Sequence, residues 1–116
     1  MNLTISKAEY FLADFDLQFR WYEKEAGWEL ACRYLEAVDQ TLQKLAKQPD
    51  LGRPRHFASP ELLGLRSFPV IQPFGKDLIF YRHDQTALVA VRIMHGAREL
   101  PRRLRQPPGA EDDEEE

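Results

Sequence analysis

The chain has 116 residues, 43% of them hydrophobic and 30% charged, with a formal net charge of −3. Such a length supports one domain around one core, and the composition argues against wholesale disorder. No run of about 18 apolar residues is present to span a bilayer and the amino terminus lacks a secretory pattern, so a cytoplasmic protein without membrane contact is expected.

"LTIS" at 3–6 alternates Leu3 and Ile5 with polar neighbours and predicts a short strand. Ser6, with Glu9 three residues on, reads as a helix N-cap with a capping box. Ala8, Phe11, Phe15, Phe19 and Tyr22 then recur at helical spacing and predict an amphipathic, aromatic first helix. Gly27 interrupts it, and Trp28, Cys32, Leu35, Val38, Leu42 and Leu45 predict the buried stripe of a second helix, ended by "QPDLGRP". A short turn between the helices makes them an antiparallel hairpin. Cys32 is the single cysteine, which excludes an internal disulfide and a cysteine-based metal cluster; it is read as a small buried hydrophobe. Trp21 and Trp28 are read as core or helix-contact residues.

From about Leu62 the period changes to two. "LLGLRSFPV" predicts a strand with a bulge or an edge position at Gly64 and Pro69. "DLIFYRH" at 77–83 places Ile79, Tyr81 and His83 on one face, and "ALVAVRIM" at 87–94 places Val89, Val91 and Ile93 opposite Leu88, Ala90, Arg92 and Met94. "HDQT" turns one strand into the other, so the pair is a predicted hairpin. The expected fold is α+β: an N-terminal strand, an antiparallel two-helix hairpin packed on a small antiparallel sheet, and a short C-terminal helix in "GARELPRRLRQ". Residues 1–106 form the expected domain, and 107–116, "PPGAEDDEEE", an acidic, disordered and solvated tail.

Charge divides along the chain: without the six acids at 111–116 there are 16 basic and 13 acidic side chains, and residues 53–110 hold 10 Lys or Arg against 4 acids. Nine of those ten are arginine, which suits bidentate contact with phosphate or carboxylate. Arg66, Arg82 and Arg92 fall in predicted strands and could line one sheet face, either solvated and carboxylate-paired or as an anion-facing patch. His95 ends the last strand beside Arg98, where it could be a general acid or base next to a phosphate-stabilising arginine, or a structural histidine. There is no glycine-rich phosphate loop, no GxSxG elbow and no HExxH spacing, so no metal site or cofactor is expected.

Taken together, the aromatic first helix, "LQKLAKQPDLGRPR", "LLGLRSFPV", "LIFYR" and "VRIMHGAREL" resemble the RelE/ParE superfamily of bacterial type II toxins over about residues 2–104. The resemblance implies a toxin made with a cognate antitoxin that wraps a helical segment around it. Two activities occur on this fold, so fold does not choose between them. ParE-like members share the "GLRSFPV" and "RIMHGARE" pattern and poison DNA gyrase without a hydrolytic centre; this is the leading expectation, with a ParD-like antitoxin as partner and operator DNA reached only through the antitoxin complex. RelE-like members are endoribonucleases acting on mRNA at the ribosome, and that alternative would use Arg66, Arg82 and His95. Against it, Gly96 stands where a tyrosine is common, and Asp77 where a basic residue is expected and would repel a scissile phosphate. A non-toxic antitoxin-binding module or operon co-repressor is the further alternative. For the leading reading, Arg66, Arg82, Arg92, His95 and Arg98 are the expected target- or antitoxin-binding residues, with Arg92 and Arg98 at a basic corner whose charge reversal should abolish toxicity and spare the fold.

Overall fold

The structure, a computed structural model, describes residues 2–96 and 100–109. Its elements follow in the order β1 (Thr4–Lys7), α1 (Glu9–Ala26), α2 (Trp28–Lys47), β2 (Arg53–Pro54), β3 (Arg66–Pro69), β4 (Asp77–His83), β5 (Ala87–His95) and α3 (Leu100–Arg105). The sheet order is β1-β5-β4-β3-β2. All pairings are antiparallel except that of β1, which runs parallel to β5 with Thr4 opposite Ala87 and Lys7 opposite Ala90. The three later strands pair antiparallel as expected, and the N-terminal strand, whose pairing the sequence left open, joins them in parallel at the edge. Parallel pairing also displaces the predicted capping box: Ser6 lies within β1, the Ala8 amide continues the ladder to the Ala90 carbonyl, and α1 begins at Glu9 with no side-chain cap.

The helical hairpin turns on one residue, Gly27, whose φ of 99° ends α1 and starts α2. Both helices cover one sheet face. Phe11, Tyr34, Val38, Leu42 and Leu45 pack there on Ile79 and Tyr81 of β4 and on Leu88, Ala90 and Ile93 of β5, with Phe15 and Tyr22 at the margin. Phe15 stacks on Tyr34 at 5.5 Å, and Tyr22 lies 4.7 Å from the same ring. This aromatic layer turns the buried face of α2 toward Ala31 and Tyr34, leaving Trp28 and Leu35 of the predicted stripe exposed and Cys32 half-buried.

The opposite sheet face carries a second cluster, in which Leu62, Leu65, Phe80 and Met94 pack with Leu100 and Leu104 of α3. Between the two clusters β5 changes parity. Phe80 faces Arg92 but Tyr81 faces Ala90, so Val91 is the extra residue of a β-bulge. Strict alternation therefore fails in β5: Leu88 and Ala90 face the helices together with Ile93, whereas Val91 packs with the second cluster.

Candidate interaction surfaces

Along the solvent side of the hairpin, α1 and α2 diverge around a groove of about 320 Å³ floored by Phe11, Phe15 and Val38 and flanked by Leu12 and Leu35. These two leucines are about half exposed, at 51% and 47%. From the groove an aromatic row continues to the hairpin tip: Phe19 lies 5.9 Å from Phe15, and Trp28, 62% exposed, meets Phe19 edge-on at 5.7 Å. Lys7 sits on one rim and Glu36 and Asp39 on the other. An apolar floor with a charged rim is the form of a helix-accepting groove.

The strand arginines do not line one face. Arg66 pairs with Tyr81 and Arg82 with Val89, which puts them on opposite sides of the sheet. Each binds loop backbone. Arg66 donates Nη1 to the Gly52 carbonyl at 2.7 Å and places Nη2 3.3 Å from the Asp50 carboxylate, which also meets His83 Nε2 at 3.1 Å. Arg82 donates Nε to the Leu63 carbonyl at 2.8 Å and Nη2 to the Glu61 carbonyl. The loop held by Arg66 is also held by Tyr81, whose hydroxyl donates to the Pro49 carbonyl at 2.6 Å and accepts from the Gly52 amide at 2.9 Å. Burial is the main cause that raises the Tyr81 pKa.

Arg92 corrects the expectation of a side chain leaving the sheet for solvent. It is 2% exposed and forms a two-pronged pair with Asp14 of α1, Nε to Oδ2 at 2.7 Å and Nη2 to Oδ1 at 2.9 Å. Asp14 sits where β1 has ended, and its Oδ2 also accepts the amide of Ile93 at 3.1 Å. The remaining Arg92 nitrogen, Nη1, donates to the carbonyls of Leu104 and Gln106 at 2.9 and 2.7 Å, where α3 ends. A cation at a helix C-terminus and a paired carboxylate together satisfy the charge. The residue thus locks α1, β5 and α3 together, so charge reversal there would attack the fold rather than spare it. Arg98 lies outside the described residues.

His95 does remain open, with its side chain 57% exposed. Nδ1 lies 2.7 Å from Oδ1 of Asp77, which is 1% exposed. The carboxylate feared as a phosphate-repelling group therefore faces the imidazole, and donation from Nδ1 to it turns Nε2 outward. Beneath the pair, burial and the Asp77 charge push the Tyr34 phenol far above its ordinary pKa, so it stays protonated. Arg103 donates Nη2 to the His95 carbonyl at 3.0 Å. Of the nuclease candidates, His95 and Arg66 stand at opposite ends of the sheet, opposite Asp77 and Tyr81 respectively, and Arg82 is on the other face. Four residues along a strand separate them by roughly 13 Å. Asp14 and Asp77 are the functional partners that sequence reasoning missed; a lone aspartate on an otherwise apolar face of α1 was the available signal for the first.

The fold and these surfaces define a small α+β domain with an apolar groove open between its two long helices. Residues 5–100 match the family model described as "ParE toxin of type II toxin-antitoxin system, parDE". The chain belongs to the ParE toxin family. Among solved structures, a chain of the "Chromosomal ParDE TA system from P. aeruginosa" superposes with a TM-score of 0.65 at 17% identity, covering 82% of this chain and 97% of that one. No match was found among the curated proteins.

Proposed function

We propose that this chain is a toxin that inhibits DNA gyrase by protein–protein contact and is neutralised by a cognate ParD-like antitoxin, through which alone it reaches operator DNA. Membership of the ParE family supports the reading, and one observation carries the choice against mRNA cleavage: Arg66, Arg82 and His95 do not converge on one reacting atom. The exposed His95 at the end of β5 is the proposed target contact, together with Arg98, three residues further along the chain. Arg66 and Arg82 would contribute indirectly, by shaping the two loops they hold before and after β2, and Arg92 by holding α3.

The antitoxin segment would be an amphipathic helix laid into the α1–α2 groove, its apolar side on Leu12, Phe15 and Leu35 and an acidic residue near Lys7. The ribonuclease alternative retains one favourable feature, an imidazole oriented by a buried carboxylate. Translating extracts separate the readings: mRNA should stay intact in the presence of the chain, and fragments with new ends inside codons would overturn the proposal. Expression without antitoxin should arrest growth, and harmless expression would instead indicate a non-toxic binding module.

A further inference from the structure

The outer ridge of α1 carries an exposed apolar row that serves neither the core nor the α1–α2 groove. Tyr10, Leu17 and Trp21 lie along it, all exposed and outside both core clusters, and the exposed Ala13 falls in the same row. Leu12 and Phe15 line the groove instead. Leu17 stands midway along the row and stays 50% exposed beside Gly109. Opposite charges mark the two ends of the helix, Glu9 in its first turn and Lys24 in its last.

Such a row is complementary to its own reverse. When a second α1 runs antiparallel with Leu17 on a two-fold axis, residues equally far from Leu17 on either side face each other across the seam. The small Ala13 then receives the large Trp21 of the other copy, and Tyr10 comes opposite Lys24. The Lys24 methylenes can cover the open face of the Tyr10 ring, whose other face the Arg92 guanidinium occupies at 5.3 Å. Glu9, beside Tyr10, gives the Lys24 ammonium its carboxylate, so each end of the seam pairs opposite charges. Nearer the axis, Arg20 bonds Asp16 of its own helix at 3.0 Å and comes level, within about 3 Å along the axis, with Asp16 of the other copy. Glu25, level with the other copy's Glu9, is turned about 160° from it around the helix, which keeps these like charges apart. We propose that the outer ridge of α1 pairs antiparallel with that of a second copy of this chain, in a two-fold dimer centred on Leu17. Residues 10–24 make a seam about 22 Å long. One helix pair of that length belongs to the small, weak class of interfaces, so dissociation in the range of about 10–1000 µM is expected. The α1–α2 groove stays open in the dimer, because Leu12 and Leu35 lie outside the seam.

The proposal is independent of the gyrase reading, and its first test uses the full chain alone. Sedimentation velocity across that concentration range should show a monomer–dimer equilibrium. Leu17→Lys, which sets two ammonium groups against each other on the axis, should abolish it with the unfolding midpoint unchanged. Lys24→Glu should weaken association, and adding Glu9→Lys should restore it. With Cys32→Ser in place, Leu17→Cys should form a symmetric disulfide, whereas Ala13→Cys, about 12 Å along the axis from its own copy, should not. A chain that stays monomeric throughout, or a dimer indifferent to Leu17→Lys, would overturn the proposal, as would Ala13→Cys cross-linking as fast as Leu17→Cys. If Leu17→Lys weakened antitoxin binding and left self-association intact, the ridge would belong to the antitoxin, which counts equally against it.

Discussion

A guanidinium buried to 2% exposure is tolerable only where every charge and donor around it is matched, and Arg92 meets that demand with one carboxylate and the carbonyls ending α3. Replacing it with methionine should cost about 3–5 kcal/mol in urea unfolding, because the buried Asp14 carboxylate loses its guanidinium partner. Exchanging the two, Asp14→Arg with Arg92→Asp, should not restore stability, since a carboxylate at 92 would face carbonyl oxygens. Full recovery by the exchange would show that the pair alone matters. Asp84 makes a pH-dependent contribution of the opposite kind, exposed and local. Its carboxylate accepts from the Thr86 and Ala87 amides at 2.8 and 2.9 Å, and these bonds hold its pKa below the ordinary 3.8. The stabilisation is therefore complete above 3.8 and lost as pH falls through the depressed folded value. Amide exchange at Thr86 and Ala87 should rise on acidification in the native chain, and Asp84→Ala should abolish that acid-dependent step. The role of Asp14 was not legible locally, because Asp14 and Arg92 are 78 residues apart and no periodicity links such a pair, whereas Asp84 acts within the turn that "HDQT" predicts.

Element by element, legibility followed the strength of the period. β4 spans the residues that alternation predicts, Asp77–His83, because its neighbours β3 and β5 leave it no freedom of register. β5 was legible in extent but not in facing, since the bulge at Val91 is set by its partner strand. In α2 the apolar positions outnumber those one face can bury, and the choice fell to Tyr34 stacking on Phe15 rather than to Trp28 or Leu35. Leu35 gains meaning as one flank of the α1–α2 groove, across from Leu12. Leu12→Glu with Leu35→Glu should weaken antitoxin binding at least about tenfold by calorimetry while leaving the unfolding midpoint nearly unchanged, as befits exposed hot-spot positions. The loop before β2 is held differently, by close approach. A Cβ at Gly52 would come within 2.3 Å of the Tyr81 hydroxyl, so Gly52→Ala must displace either the ring or the loop. We expect a loss of about 1–3 kcal/mol with faster amide exchange around Arg53, and an unperturbed variant would mean that the Tyr81 anchor is dispensable.

At the scale of the molecule, α1 and α2 flank an apolar groove, while three of the arginines that make the second half basic, Arg66, Arg82 and Arg92, hold loops and a helix end. Counting charge from sequence suggested a cationic face; side-chain geometry shows Arg66, Arg82 and Arg92 engaged with the protein's own carbonyls and carboxylates. Arginines engaged in this way are not left to converge on a scissile phosphate, and that weighs in the proposal for a protein target over an RNA substrate. Plasmid supercoiling by purified gyrase, with rising amounts of the folded chain and both supercoiled and linear products scored, tests that claim most directly. We predict lost supercoiling together with linear DNA trapped by gyrase, both abolished by prior addition of the antitoxin. Gyrase that supercoils at full rate in the presence of folded, growth-arresting protein would contradict the account.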